Sequence, residues 1–120
     1  MRALVAGHVC VDLVPTLGSD LSLNAGQLEE IGPLRLRAGG CVANTGVALA
    51  DLGATVTINS LVGADALGDW LTDLVEPLVS DASQLRVLPG SDTSYSIALE
   101  PPGSFSNPTS SIVRDFTIGF

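Results

Sequence analysis

The sequence predicts an α/β fold, a parallel sheet covered by helices, on three observations. Short runs rich in β-branched residues alternate with amphipathic stretches, the connections between them are short and carry glycine, and 120 residues admit one domain. With 46% hydrophobic residues, the chain has enough apolar side chains to bury a core.

Ala3 to Val9 is a continuous apolar run and reads as a first strand, buried on both faces. Pro15 to Pro33 mixes Gly18, Ser19, Asp20, Asn24, Gly26 and Gly32 with scattered leucines, a loop excursion with room for short edge strands. Leu34-Arg35-Leu36-Arg37 alternates apolar and basic, the period of a half-exposed strand, and runs directly into Ala38-Gly39-Gly40. Cys41 to Leu52 has helical spacing at Val42, Leu49 and Leu52, with Gly53 as its stop. Thr55 to Val62 predicts a second buried strand, and Asp65 stands where a helix N-cap is needed. From there Leu67, Trp70, Leu71, Leu74, Val75 and Leu78 recur on one helical face, and Pro77 closes the helix. Leu85 to Leu88 and Ser94 to Glu100 read as strands, Pro101-Pro102-Gly103 as a turn, Ser104 to Ser111 as loop, and Ile112 to Phe120 as another short strand.

Charge removes one class of partner. Thirteen acidic residues against five basic ones give a net charge of −8, the opposite of a cationic nucleic-acid groove. Mean hydropathy is +0.43, yet no apolar run approaches the roughly 18 to 20 residues of a bilayer-spanning helix, so no membrane partner is expected. The opening MRALVAGHVCVDLV is broken by His8 and Asp12, which makes it a strand and not a secretory leader. Cys10 and Cys41 form no zinc-ligand spacing and read as two buried, reduced thiols of a cytoplasmic protein. A lone His8 without clustered acids reads as a structural residue, and neither a metal site nor a Ser-His-Asp triad is expected.

The most informative stretch is Gly39-Gly40-Cys41-Val42-Ala43-Asn44-Thr45-Gly46, at a strand-to-helix junction. Adjacent glycines remove two Cβ atoms where a ligand could approach the backbone, and the first helical turn offers unpaired N–H donors. The spacing fits neither the phosphate P-loop nor G-x-G-x-x-G, whereas recognition of hydroxyls needs only neutral donors and acceptors. The Asn44 amide both donates and accepts, which suits a polyol. Asp12, expected just beyond the first strand's carboxyl end, could accept two hydrogen bonds from neighbouring hydroxyls. Each feature alone has a plain reading, a turn-forming aspartate and a tight helix entry; their joint occurrence points to a site made of Asp12, Gly39, Gly40 and Asn44.

Ala6-Gly7 through Val11-Asp12, then Ala38 to Asn44, then Ala48-Leu49-Ala50-Asp51-Leu52-Gly53-Ala54, then Val62-Gly63-Ala64-Asp65-Ala66-Leu67-Gly68 together resemble the amino-terminal part of the PfkB (ribokinase-like) carbohydrate kinases. The resemblance covers roughly residues 3 to 100 and rests on four ordered motifs. It implies a ribokinase-like parallel sheet with a small β lid whose strands lie at approximately 12–38 and 85–103. It also implies ATP-dependent phosphoryl transfer to a sugar hydroxyl, sugar contacts at Asp12, Gly39, Gly40 and Asn44, and a homodimer formed through the lid. Cys41 stands where ribokinases carry lysine, so the resemblance does not extend to ribose as the substrate. ATP and Mg2+ are implied as well, but the family's Asp-Thr-x-Gly-Ala-Gly-Asp element, which carries the catalytic base and the anion hole, has no counterpart here. Residues 1–120 are therefore expected to be an incomplete, amino-terminal part of a kinase domain, holding no catalytic residue and inactive alone. The alternative is a non-catalytic binding or oligomerisation module built on the same fold; a small nucleotide-binding protein fits less well, because no phosphate fingerprint is present.

Overall fold

In the computed structural model, which describes residues 1–18 and 24–99, the chain runs β1 (Arg2–Ala6), β2 (Cys10–Pro15), β3 (Leu34–Gly39), α1 (Gly40–Asp51), β4 (Thr55–Gly63), α2 (Ala66–Val75), β5 (Asp81–Leu88) and β6 (Tyr95–Ile97). Two three-stranded sheets result. One is all parallel in the order β1-β4-β5; in the other, β2 lies between an antiparallel β3 and a parallel β6. The turn expected at 101–103 and the strand expected at 112–120 lie outside the described residues.

The core forms where β4 turns Val56, Ile58 and Val62 inward against Val42 and Ala43 of α1 and Leu71 and Val75 of α2. Alternation along β4 selects that face, while Thr57, Asn59 and Leu61 point the other way. Of the periodic face predicted for α2, Leu67, Trp70, Leu71 and Val75 pack on the core, whereas Leu78 lies past the helix end and is exposed; Pro77 falls in the 3-10 turn Glu76–Leu78 that ends the helix. Among the described residues no helix is long and apolar enough to cross a membrane.

Two strand expectations need correction. The first strand ends at Ala6 and is not buried on both faces: its only described neighbour is β4, and Leu4 is 66% exposed on the face that no helix covers. The chain re-enters a strand within three residues, so Asp12 lies inside β2 of the second sheet and not in a turn after β1. The alternation of Leu34 to Arg37 is real, but Leu34 and Leu36 are exposed whereas Arg37 is half-buried. Arg37 stands opposite Asp12 in the β2–β3 register, and that polar row is the covered one.

Asp65 caps α2 as predicted, and it does more. Its Oδ1 accepts from the Gly68 amide at 2.8 Å and from the Thr93 hydroxyl at 2.6 Å, while Oδ2 accepts from the Thr93 amide at 2.7 Å. Thr93 Oγ1 in turn accepts from the buried Gly63 amide at 2.9 Å, so one carboxylate ties the start of α2 to the segment leading into β6. The Thr93 hydroxyl, then the Thr93 and Gly68 amides, hold the Asp65 carboxyl below its ordinary value of 3.8, and the Ser83 amide lowers Asp81 in the same sense. A depressed carboxyl stabilises the fold fully above its ordinary value and loses that contribution as pH falls through the folded one. Melting temperature is therefore expected to be flat near neutrality and to fall below about pH 4. In Asp65→Asn the fall should be shallower; an identical acid limb in both proteins would count against the clamp.

Candidate functional site

Asp12 enters its position through strand register. β2 pairs Asp12 with Arg37 on one side and Ser96 on the other, and Cys10 with Gly39. The Asp12 side chain is 0% exposed. Its Oδ1 accepts from Ser96 Oγ at 2.5 Å and from Cys10 Sγ at 3.6 Å, whereas Oδ2 is buried without a hydrogen-bond partner. An unmatched buried acceptor costs about 1–3 kcal/mol, more for a charged one, which a hydroxyl donor would recover. Burial, then the neighbouring Asp12 carboxylate, pushes the Cys10 thiol up to about 12, so Cys10 serves as a buried neutral donor and not as a nucleophile.

The carboxylate packs directly on Gly39, occupying the space that a Cβ there would need. Gly40 follows with φ +83°, a left-handed value, and a Cβ on it would lie 2.5 Å from the His8 carbonyl oxygen. That close approach lets His8 accept from the Val42 amide at 3.1 Å, one of the first-turn donors that α1 would otherwise leave open. Glycine is thus required twice in succession, once for a side chain and once for a backbone.

Asn44 sits one turn beyond Gly40 and so shares its face of α1. It is half-buried and makes no side-chain hydrogen bond among the described residues. The structure therefore brings Asp12 and Gly39 into contact, sets Gly40 against the His8 and Val9 backbone, and places Asn44 next along the helix without a bond to Asp12. Ser96 was missed by sequence reasoning. Its alternation with Tyr95 and Ile97 was visible, but its partner lies 84 residues away. Cys41, expected to be buried, is exposed on the first turn of α1, its thiol 3.6 Å from the His8 carbonyl; both cysteines are free.

A separate cavity of about 430 Å³ opens at the carboxyl ends of β1, β4 and β5, lined by His8, Asn59, Ser60, Arg86, Asp92 and Ser94 among others. None of the four sequence-predicted residues lines it. Several of its polar groups are already partnered: the Ser60 hydroxyl donates to the Gly7 carbonyl at 2.6 Å, and His8 Nε2 and Ser94 Oγ are bonded at 3.0 Å. Among the described residues the unmatched buried acceptor is Asp12 Oδ2, outside this cavity.

Comparison with known proteins identifies the family and the fold. The family model described as pfkB family carbohydrate kinase matches residues 2–100. The chain belongs to the pfkB family. No curated protein sequence matches it significantly. Among solved structures, it is similar to the ribokinase of Cryptococcus neoformans var. grubii serotype A in complex with ADP, with 26% identity and a TM-score of 0.67 over 82% of this chain and 30% of that one. The fructokinase of Halothermothrix orenii aligns at 24% identity and TM-score 0.65, over 82% of this chain and 34% of that one. The ATP-bound fructokinase of Xylella fastidiosa aligns at 22% and 0.64, over 82% and 29%. The fold is ribokinase-like, and the chain spans about a third of the length of these pfkB-type structures.

Proposed function

We propose that this chain is the sugar-binding part of an ATP-dependent carbohydrate kinase, which transfers the γ-phosphoryl group of ATP to a sugar hydroxyl. Membership of the pfkB family supports the reaction class. The observation that carries the sugar assignment is the Asp12 carboxylate, buried at the glycine-lined mouth of α1 with Oδ2 unmatched. Asp12 would accept a sugar hydroxyl, the Asn44 amide would donate to or accept from another, and the glycine pair would let the ring approach the backbone. Phosphoryl transfer depends on positioning and on neutralising charge on the moving group. Among the described residues no three His, Cys, Asp or Glu side chains cluster to hold a metal ion, so no step through Mg2+ or ATP is assigned to them. We infer that the chain alone is inactive, because the family's Asp-Thr-x-Gly-Ala-Gly-Asp element has no counterpart in it. A cytoplasmic location goes with this reading, since both cysteines are free thiols.

Calorimetric titration of the purified chain with D-fructose, D-ribose and related sugars tests the assignment. Binding of at least one sugar, without ADP formation when ATP is added, is expected. Failure of every sugar overturns the binding role, and turnover like that of an intact kinase overturns the inactivity.

One observation favours an assembly role beside the binding role. On the β3-β2-β6 sheet, Leu36, Leu13 and Ile97 form one apolar row, flanked by Leu34 and Tyr95, and Ile97 is 60% exposed. We infer a homodimer through this face, as an apolar sheet surface of that kind is rarely left in water. Light scattering should give twice the chain mass, falling to the monomer in Leu36→Lys/Ile97→Lys; a wild-type monomer at all concentrations would refute it.

A further inference from the structure

The two oxygens of the Asp12 carboxylate are unequal. Oδ1 accepts from both Ser96 Oγ and Cys10 Sγ, and Oδ2, resting on Gly39, accepts from no donor among the described residues. A carboxylate oxygen has two lone pairs, so Oδ1 is fully engaged and Oδ2 keeps both of its own. The thiol is a weak donor, which leaves the serine hydroxyl at 2.5 Å as the bond that sets the carboxylate plane. Register makes Ser96 the residue that can do this: it stands directly opposite Asp12 in β6, while Tyr95 and Ile97 on either side face the other way.

We propose that Ser96 is a positioning residue for the sugar site, which fixes the Asp12 carboxylate so that it offers Oδ2 alone to the ligand. This rests on the sugar reading above, and it assigns the hydrogen bonds expected from neighbouring hydroxyls to one oxygen of the carboxylate. Without the hydroxyl at 96, the carboxylate is held only by the Cys10 thiol and is free to turn, so that Oδ2 leaves Gly39.

The test compares the wild type with Ser96→Ala and with the isosteric pair Ser96→Thr and Ser96→Val, whose β-branched side chains suit a strand. For whichever of D-fructose or D-ribose binds the wild type, affinity should fall about tenfold in Ser96→Ala and Ser96→Val and return to within about threefold in Ser96→Thr, as expected for loss and recovery of a hydrogen bond to a charged group. Unchanged affinity in Ser96→Val, or a folded Ser96→Thr as weak as Ser96→Val, overturns the proposal. Crystal structures of the sugar-free wild type and Ser96→Val give a readout that does not need a ligand: the Asp12 carboxylate should be rotated away from Gly39 in the variant. An unrotated carboxylate overturns the positioning role whatever the sugars do. A wild type that binds neither sugar overturns the sugar reading, while the carboxylate comparison still decides what Ser96 does.

Discussion

Replacing Gly40 with alanine should destabilise the chain by about 2–5 kcal/mol, the sum of a left-handed conformation forced on a residue with a side chain and of overpacking against backbone. The new methyl would meet the His8 carbonyl oxygen at 2.5 Å and Val9 Cα at 2.9 Å, atoms that cannot rotate away. Moving them breaks the Val42 N–H bond to His8 and opens the first turn of α1. Against a total stability of about 5–15 kcal/mol, a loss of this size is a large fraction of what holds the fold. Thermal melts decide the matter. A drop of about 8 °C or more is expected for a domain of this size, and a melt within about 2 °C of the wild type would show that the junction tolerates a side chain and that its glycines are not structurally required.

Asp12→Asn should separate binding from stability. The amide keeps an oxygen that can accept from Ser96, but it replaces the unmatched Oδ2 with a group that does not accept, so sugar affinity is expected to fall about 10- to 100-fold. Folding should not suffer equally. Burying a carboxylate with one oxygen unmatched carries a desolvation cost that a neutral amide reduces, so the variant is expected to be as stable as the wild type or about 1 kcal/mol more stable. Titration calorimetry and urea unfolding on the same preparations measure both quantities. A variant that binds sugar normally would remove Asp12 from the site; one that loses several kcal/mol would make Asp12 a structural residue.

Much of the fold was legible because its signals are local. The apolar period of α2, the Asp65 cap and the β-branched run of β4 are written within ten or so residues, and the structure has all three. The glycine pair was legible for the same reason, as two adjacent residues without side chains have few other uses at a strand-to-helix junction. The misread parts depend on register between distant segments. Nothing around His8 and Val9 announces that the chain leaves one sheet and enters another, so Asp12 was expected past a strand end when it lies inside β2. Likewise, the exposure of Leu34 and Leu36 follows from the polar row that Arg37, Asp12 and Ser96 form across three strands, a row that no single strand reveals.

The Asp12–Ser96 contact joins positions 84 apart, nearly the whole described chain. Closing a loop of that length from an unstructured chain costs about 4 kcal/mol in chain entropy, so the contact depends on the elements between β2 and β6 holding the two strands side by side. A chain in which this pairing is not made has no shaped receptor for a ligand, so ligand recognition doubles as a report that the polypeptide has finished its journey.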